Sequence, residues 1–244
     1  MIKYSIFITY YNRPSFYNTL LAYYYFCAGR EDYEIIVLED KKNVENPDWH
    51  LKLVNILNSF PKLPIVHREM PYVNYACACS AMNDGVDSAQ GEYIVLTNPE
   101  CMPTVDILKG FDTEFAKDAN VYVVCACLLG GPIKPLTSLS EFKVTIGPKS
   151  RWYQHSIRAN RFLNFCTAIR KDSYIASGGF NEEFDKGIGR ADVYFTKTIK
   201  KHISKFVCRD DLLVMHISHS KSFTDKKLVN INYGCKKFTS RFLK

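Results

Sequence analysis

The sequence predicts an α/β fold in which a mostly parallel central sheet is flanked by helices. Three observations carry that expectation. Short apolar runs alternate with helical stretches through the first half of the chain, the order a parallel sheet requires. Runs such as Ile35-Ile-Val-Leu38 and Tyr93-Ile-Val-Leu96 are apolar at consecutive positions, as in strands covered on both faces. The stretch Gly91-Glu-Tyr-Ile-Val-Leu-Thr-Asn-Pro-Glu-Cys101 then stops abruptly in polar residues, and the carboxyl end of such a strand borders the crevice where open α/β sheets bind ligands.

The elements follow in order. Residues 4–9 form a strand, Asn12-Arg13-Pro14 a turn, and residues 15–27 a helix whose first turn accommodates Pro14. A second strand at residues 33–38 ends in Glu39-Asp40 and leads to a helix over 49–57. A third strand at 64–67, a helix over 73–89, the strand ending at Thr97, a helix over 106–117 and a strand at 120–128 continue the alternation. The second half is less regular. Residues 130–161 hold three prolines and read as a long loop over the sheet edge, the kind of segment that is usually functional. A strand at 162–169, a helix over 190–202 and a last strand at 212–216 complete the pattern. No internal repeat or low-complexity linker interrupts it, so residues 1–217 are expected to form one domain, followed by a tail at 218–244.

Composition narrows the function classes. With 244 residues, 47% of them hydrophobic, the chain can bury a sizeable core, which excludes disordered and fibrous classes. No apolar run approaches the roughly 18–20 residues that cross a bilayer, and the first residues lack a signal-peptide cleavage region, so a cytoplasmic location is expected. The nine cysteines include Cys77-Ala-Cys79 and Cys125-Ala-Cys127 but no C-x-x-C pair; zinc ribbons and redox motifs are unsupported, and reduced, buried thiols are expected. Most of the net charge of +7 sits at the end of the chain, where seven basic residues from Lys221 onward face Asp225 alone. Such a tail either keeps the protein in solution or meets anionic lipid headgroups or nucleic-acid phosphates.

The residues at the strand ends form a set: Thr9 and Tyr10, Glu39 and Asp40, Asn98 and Glu100, and His216. In a parallel sheet these ends converge on one cleft. Carboxylates and an imidazole there can hold a divalent cation such as Mg²⁺ or Mn²⁺, and a cation points to a phosphorylated ligand. Trp152 and His155 suit an acceptor site because sugar and base rings stack on flat aromatic faces, and Arg13 and Arg158 are placed to approach phosphates.

The order of Ile-Thr-Tyr-Tyr-Asn-Arg-Pro near the start, Ile-Val-Leu-Glu-Asp after the second strand, Asn83-Asp-Gly-Val-Asp-Ser-Ala-Gln-Gly-Glu-Tyr-Ile-Val-Leu, Gly178-Gly-Phe-Asn-Glu-Glu-Phe and a late Asp192 resembles a GT-A glycosyltransferase of glycosyltransferase family 2. The resemblance covers roughly residues 4–217 and rests on order and spacing. It implies a metal-dependent, inverting transfer of a sugar from a nucleotide-diphosphate sugar, a UDP-sugar being favoured, to a hydroxyl of a glycan or lipid-linked acceptor. A hydroxylated base in DNA is an alternative acceptor, and an inactive nucleotide-sugar-binding domain a further alternative. By the same resemblance Thr9, Tyr10, Arg13, Glu39 and Asp40 hold the nucleotide. The family's Asp-x-Asp metal motif falls on Asn98-Pro-Glu100, so that Asn98 contacts the donor while Glu100 is the metal-ligating carboxylate. His216, and less strongly His219, correspond to a late histidine that some GT-A enzymes use as a metal ligand. Asp192 takes the place of the catalytic base, with Ala191 where the family usually has a second acid. Glu182 and Glu183 are weaker base candidates that instead contact the acceptor or donor sugar.

Overall fold

The computed structural model describes residues 1–71, 77–186 and 190–219. Within them a mixed α/β architecture surrounds one nine-stranded sheet. Its strands are β1 (Tyr4–Tyr10), β2 (Tyr33–Glu39), β3 (Ile65–Glu69), β4 (Tyr93–Thr97), β5 (Cys101–Pro103), β6 (Tyr122–Leu129), β7 (Trp152–Gln154), β8 (Thr167–Arg170) and β9 (Phe206–His216). They lie in the order β3-β2-β1-β4-β8-β6-β9-β5, with β7 paired to β6. The pairings of β3, β2, β1 and β4 are parallel, and so is that of β6 with β9. β8 runs antiparallel to both β4 and β6, so those two share a direction. The carboxyl ends of β1, β2, β3, β4, β6 and β9 therefore share one edge, which is the geometric condition for a common cleft.

The helices are α1 (Phe16–Phe26), α2 (Lys41–Val44), α3 (Pro47–Asn58), α4 (Cys79–Asp87), α5 (Ile107–Phe115), α6 (Lys171–Ala176) and α7 (Ala191–Ile199). Strand alternation sends one set of side chains to each side of the sheet. Ile6, Ile8, Ile35 and Val37 pack with Phe16, Leu20, Leu53 and Phe111 on one side. Phe7, Ile36, Leu38, Ile94 and Leu96 pack with Val86, Tyr174 and Phe195 on the other. Burying each such Ile, Leu or Phe contributes about 1.5–3 kcal/mol, which explains why the strands read as continuous apolar runs.

Several boundaries differ from the sequence expectation, each for a physical reason. The expected strand at 162–169 begins only at Thr167, because Cys166 has a φ of 120° that breaks the extended run. The final strand starts at Phe206, six residues before the expected point; its charged stretch is legible as strand only once Arg209 meets Glu114 and Asp211, and Asp210 accepts from Ser156. The long loop over 130–161 contains β7 and a 3₁₀ turn at Leu139–Glu141. The expected helix over 73–89 begins at Cys79, and its first residues, 72–76, lie outside the described ones. The basic tail from Lys221 also lies outside them.

Polar contacts tie the layers together. Ser5 donates to Glu34 at 2.6 Å, and that carboxylate also accepts from the Gln90 amide, while the Gly91 amide donates to Ser5 Oγ. Gly91 is required here by space: a Cβ would stand 2.5 Å from the Ser5 backbone nitrogen. Elsewhere Asp112 on α5 collects Lys3, Tyr4 and Arg30. Burial alone would raise its pKa, but hydrogen bonds from Arg30, Lys3 and Tyr4 outweigh burial and hold it below the ordinary aspartate value.

Two outcomes follow from these contacts. Gly91→Ala pushes against β1 backbone rather than a flexible side chain, so a loss of about 1–3 kcal/mol is expected in urea denaturation; an unchanged midpoint would contradict the packing. Asp112 contributes stability above the unfolded aspartate pKa of about 3.9 and loses it as pH falls through the lower folded value. Asp112→Asn should therefore be less stable than the parent at neutral pH, with the gap closing in acid; a gap independent of pH would exclude this origin.

Candidate active site

At the shared carboxyl edge the turns after β1 and β4 meet the segments before β8 and α7. They enclose a cleft of about 220 Å³ whose lining includes Thr9, Asn98, Asn164, Phe165, Phe180 and Asp192, with Cys77, Cys79 and Met82 from the α4 side. Thr9 and Asn98 are there because β1 and β4 are registered neighbours that end together. Asp192 is there because it opens α7, where its carboxylate accepts from the Val193 amide at 2.8 Å. Burial raises the Asp192 pKa and outweighs that backbone hydrogen bond, which makes the carboxylate a stronger proton acceptor than an exposed aspartate.

The Asn98-Pro99-Glu100 turn is held from behind. Thr19, buried on α1, donates to the Pro99 carbonyl at 2.7 Å. The next residue back, Asn18, donates to the carbonyls of Pro132 and Lys134 and accepts from the Leu136 amide, fixing the start of the long second-half loop. Neither residue stands out in the sequence, because a buried Asn-Thr pair in a helix looks like any polar helical position.

Glu100 itself is 8% exposed and lies at the centre of a charged group. His216 Nε2 is 3.6 Å and His219 Nε2 3.3 Å from Oε1, while Arg13 Nε is 3.7 Å from Oε2. β5 and β9 build this group: Cys101 registers with His216, and the Ile217 amide donates to the Glu100 carbonyl at 2.8 Å. Burial would raise the Glu100 pKa, but His219, His216 and Arg13 outweigh it and keep the group a carboxylate. Burial also lowers the pKa of His216 despite the neighbouring Glu100.

This donor set fits a divalent cation. Ligand atoms of Glu100, His216 and His219 lie within 4.8 Å of one another, and the buried Glu100 Oε2 and His216 Nδ1 have no hydrogen-bond partner among the described residues. Phe165 joins this group to the cleft, because its ring lines the cleft and meets the His216 ring edge-on at 5.3 Å. Tyr153 packs on the same imidazole at 4.7 Å. His219 approaches Glu100 more closely than His216, although the sequence favoured His216. Tyr153 and Phe165 carried no signal beyond being aromatic.

The other candidate residues are distributed differently. Tyr10, Glu39 and Asp40 reach the same edge but are buried. Tyr10 packs on Phe16, Asp40 caps α2 by accepting from the Lys42 amide, and the Glu39 carboxylate takes donors from Asn43, His50 and His67. None of the three lines the cleft. Trp152 and His155 form an edge-on pair 4.5 Å apart, with Arg158 5.9 Å from the Trp152 ring centre and His155 beside Asp210. Trp152 and Tyr153 leave β7 on opposite faces, and it is Tyr153 that turns to the Glu100, His216 and His219 group. Glu182, exposed, accepts from Asn83 at the 3₁₀ turn Glu182–Lys186, which it shares with Glu183. None of these four lines the cleft, although the neighbouring Phe180 does. Asp185, from the same turn, caps α4 by accepting from the Cys79 and Ser80 amides. Gly187-Ile-Gly189, just before Asp192, lies outside the described residues.

No helix among the described residues is long and apolar enough to cross a membrane. In sequence, no family model and no curated protein matches the chain. In structure, it is similar to residues 1–349 of S. aureus TarS, with a TM-score of 0.64 and 12% identity over 88% of this chain and 60% of that one. TarS in complex with UDP-GlcNAc matches at 0.63 and 12% identity over 90% of this chain and 59% of that one. The mannosyltransferase PcManGT from Pyrobaculum calidifontis, in complex with GDP-Man and Mn²⁺, matches at 0.64 and 13% identity over 91% of this chain and 58% of that one. The chain thus spans about three-fifths of the length of these structures. At such identities the likeness carries the architecture, and the architecture is the GT-A fold.

Proposed function

We propose that this chain is a metal-dependent, inverting glycosyltransferase of the family 2 type, moving a sugar from a nucleotide-diphosphate sugar to an acceptor hydroxyl. A UDP-sugar is the favoured donor and a glycan or lipid-linked molecule the favoured acceptor. The observation that supports this most directly is a single cleft lined by Thr9, Asn98 and Asp192 whose Phe165 wall touches the Glu100, His216 and His219 group. TarS with UDP-GlcNAc and PcManGT with GDP-Man and Mn²⁺, both similar in fold, support the donor class and the metal.

Glu100, His216 and His219 would hold the cation, and two imidazoles beside one carboxylate favour Mn²⁺ over the harder Mg²⁺. Held there, a cation would supply positive charge against the departing diphosphate. Arg13, beside Glu100, adds a second positive charge on that side of the site. Thr9 and Asn98 offer hydroxyl and amide groups to orient the donor. Asp192 accepts the acceptor hydroxyl's proton as that oxygen attacks the anomeric carbon, and its raised pKa suits the task. With Ala191 in the neighbouring place, Asp192 carries this role without a second acid beside it. Asn98 in place of an acid leaves the metal to Glu100 and the two histidines.

Transfer and donor hydrolysis across a panel of nucleotide sugars with Mn²⁺ test the reading. Asp192→Asn should lower turnover by about 10²–10⁴-fold, the usual worth of a general base, while donor affinity stays near that of the parent. Glu100→Gln should raise the Mn²⁺ concentration needed for half-maximal rate by more than the roughly 10–100-fold that losing an outer-shell partner costs. A parent protein with no turnover of any donor, or an Asp192→Asn variant with undiminished rate, would end the proposal.

A further inference from the structure

A second constellation of histidines and carboxylates lies on the β2–β3 side of the sheet and has no part in the chemistry above. Glu39 registers directly opposite Glu69 across the parallel β2–β3 pair. Like charges facing each other across neighbouring strands are destabilising unless something positive lies between them. His67, two residues before Glu69, shares its face of β3, and His50 reaches in from α3.

The two imidazoles converge on one oxygen. His67 Nε2 is 2.7 Å and His50 Nδ1 3.0 Å from Glu39 Oε2. Their ring centres are 6.1 Å apart. Ligand atoms of Glu39, His50 and Glu69 all fall within 4.8 Å of one another. Glu39 is fully buried, whereas the side chains of His50 and His67 are 32% and 23% exposed, so the cluster is closed below and open to solvent above. Asn43 donates to the other oxygen of Glu39 and fixes the carboxylate's orientation, the task an outer-shell partner performs at metal sites.

We propose that Glu39, His50 and Glu69, with His67 hydrogen-bonded to Glu39 beside them, form a second divalent-cation site, of the class that Zn²⁺ occupies, separate from the Glu100 group. One imidazole and two carboxylates are a borderline donor set that leaves one position of a tetrahedral ion open, and the imidazole disfavours Mg²⁺ and Ca²⁺, which prefer oxygen throughout. Bound there, the ion neutralises the Glu39–Glu69 pair and ties α3 to the edge strand β3. It touches none of the reacting groups, so its role is structural.

Zn²⁺ titration of the full-length, chelator-treated protein, followed by calorimetry and thermal unfolding, tests this. The parent should gain thermal stability with Zn²⁺, as binding to the folded state requires. His50→Ala should lose one bound ion per chain, and Glu69→Gln, at an exposed edge-strand position that the fold does not need, should weaken the same site by at least about tenfold. His219→Ala should leave this site intact and affect only the Glu100 group, so the two sites fail independently. Equal Zn²⁺ stoichiometry and affinity in the parent, His50→Ala and Glu69→Gln would overturn the proposal. So would a Zn²⁺-induced stabilisation that disappears in His219→Ala alone.

Discussion

The structure turns on the burial of one carboxylate. Glu100 leaves the sheet at the end of β4 with 8% of its surface exposed, and a charge so placed is costly unless other groups compensate it. The compensation comes from distant parts of the chain: Arg13 from the turn after β1, and His216 and His219 from the end of β9. To deliver those imidazoles, β9 must run parallel to β6 and pair antiparallel with β5. The outer half of the sheet is thus arranged around the point where Glu100, His216 and His219 meet. A buried carboxylate paired this way stays ionised and keeps an oxygen that has no hydrogen-bond partner among the described residues, a combination that suits a ligand better than a scaffold.

Around that point the helices act as braces. Thr19 holds the Pro99 carbonyl, Asn18 holds the beginning of the loop that leads to β7, and Asp185 caps α4 so that Cys77, Cys79 and Met82 face the cleft. Asn83 works on the same flank. Its side chain accepts from Tyr174 and the Phe180 amide and donates to the Phe180 carbonyl, which fixes the segment that carries Phe180 into the cleft wall. Each of these is a buried or half-buried polar side chain bonded to backbone, and such contacts hold loops at defined distances where apolar packing alone would let them slide.

Much of the fold was legible beforehand because its signals are local. Consecutive apolar residues at 35–38 and 93–96 mark strands buried on both faces, and Pro14 and the turn before it mark the entry to α1. The site was legible in part. Thr9, Asn98 and Asp192 do share one cleft, and Glu100 and His216 do meet. Trp152 and His155 read as an acceptor surface, yet the alternation of β7 turns Tyr153 toward His216 and Trp152 the other way. Glu39 read as a residue facing a ligand, yet His50, His67 and Asn43 enclose it. The strand at Cys101–Pro103 carried no recognisable pattern, since a three-residue strand containing proline is defined only by its partner.

The sequence by itself determined the α/β class, the positions of the inner strands and the location of polar residues at their carboxyl ends. Periodicity and turn chemistry act over a few residues, and each of those features is written in such a window. Only the tertiary structure decided which strand ends meet, that His219 stands closer to Glu100 than His216 does, and that Glu39 faces Glu69 across a strand pair with two histidines around it. Those outcomes depend on register and strand order between segments far apart in the chain. A shift of one residue in any pairing would turn the same side chains to the opposite face.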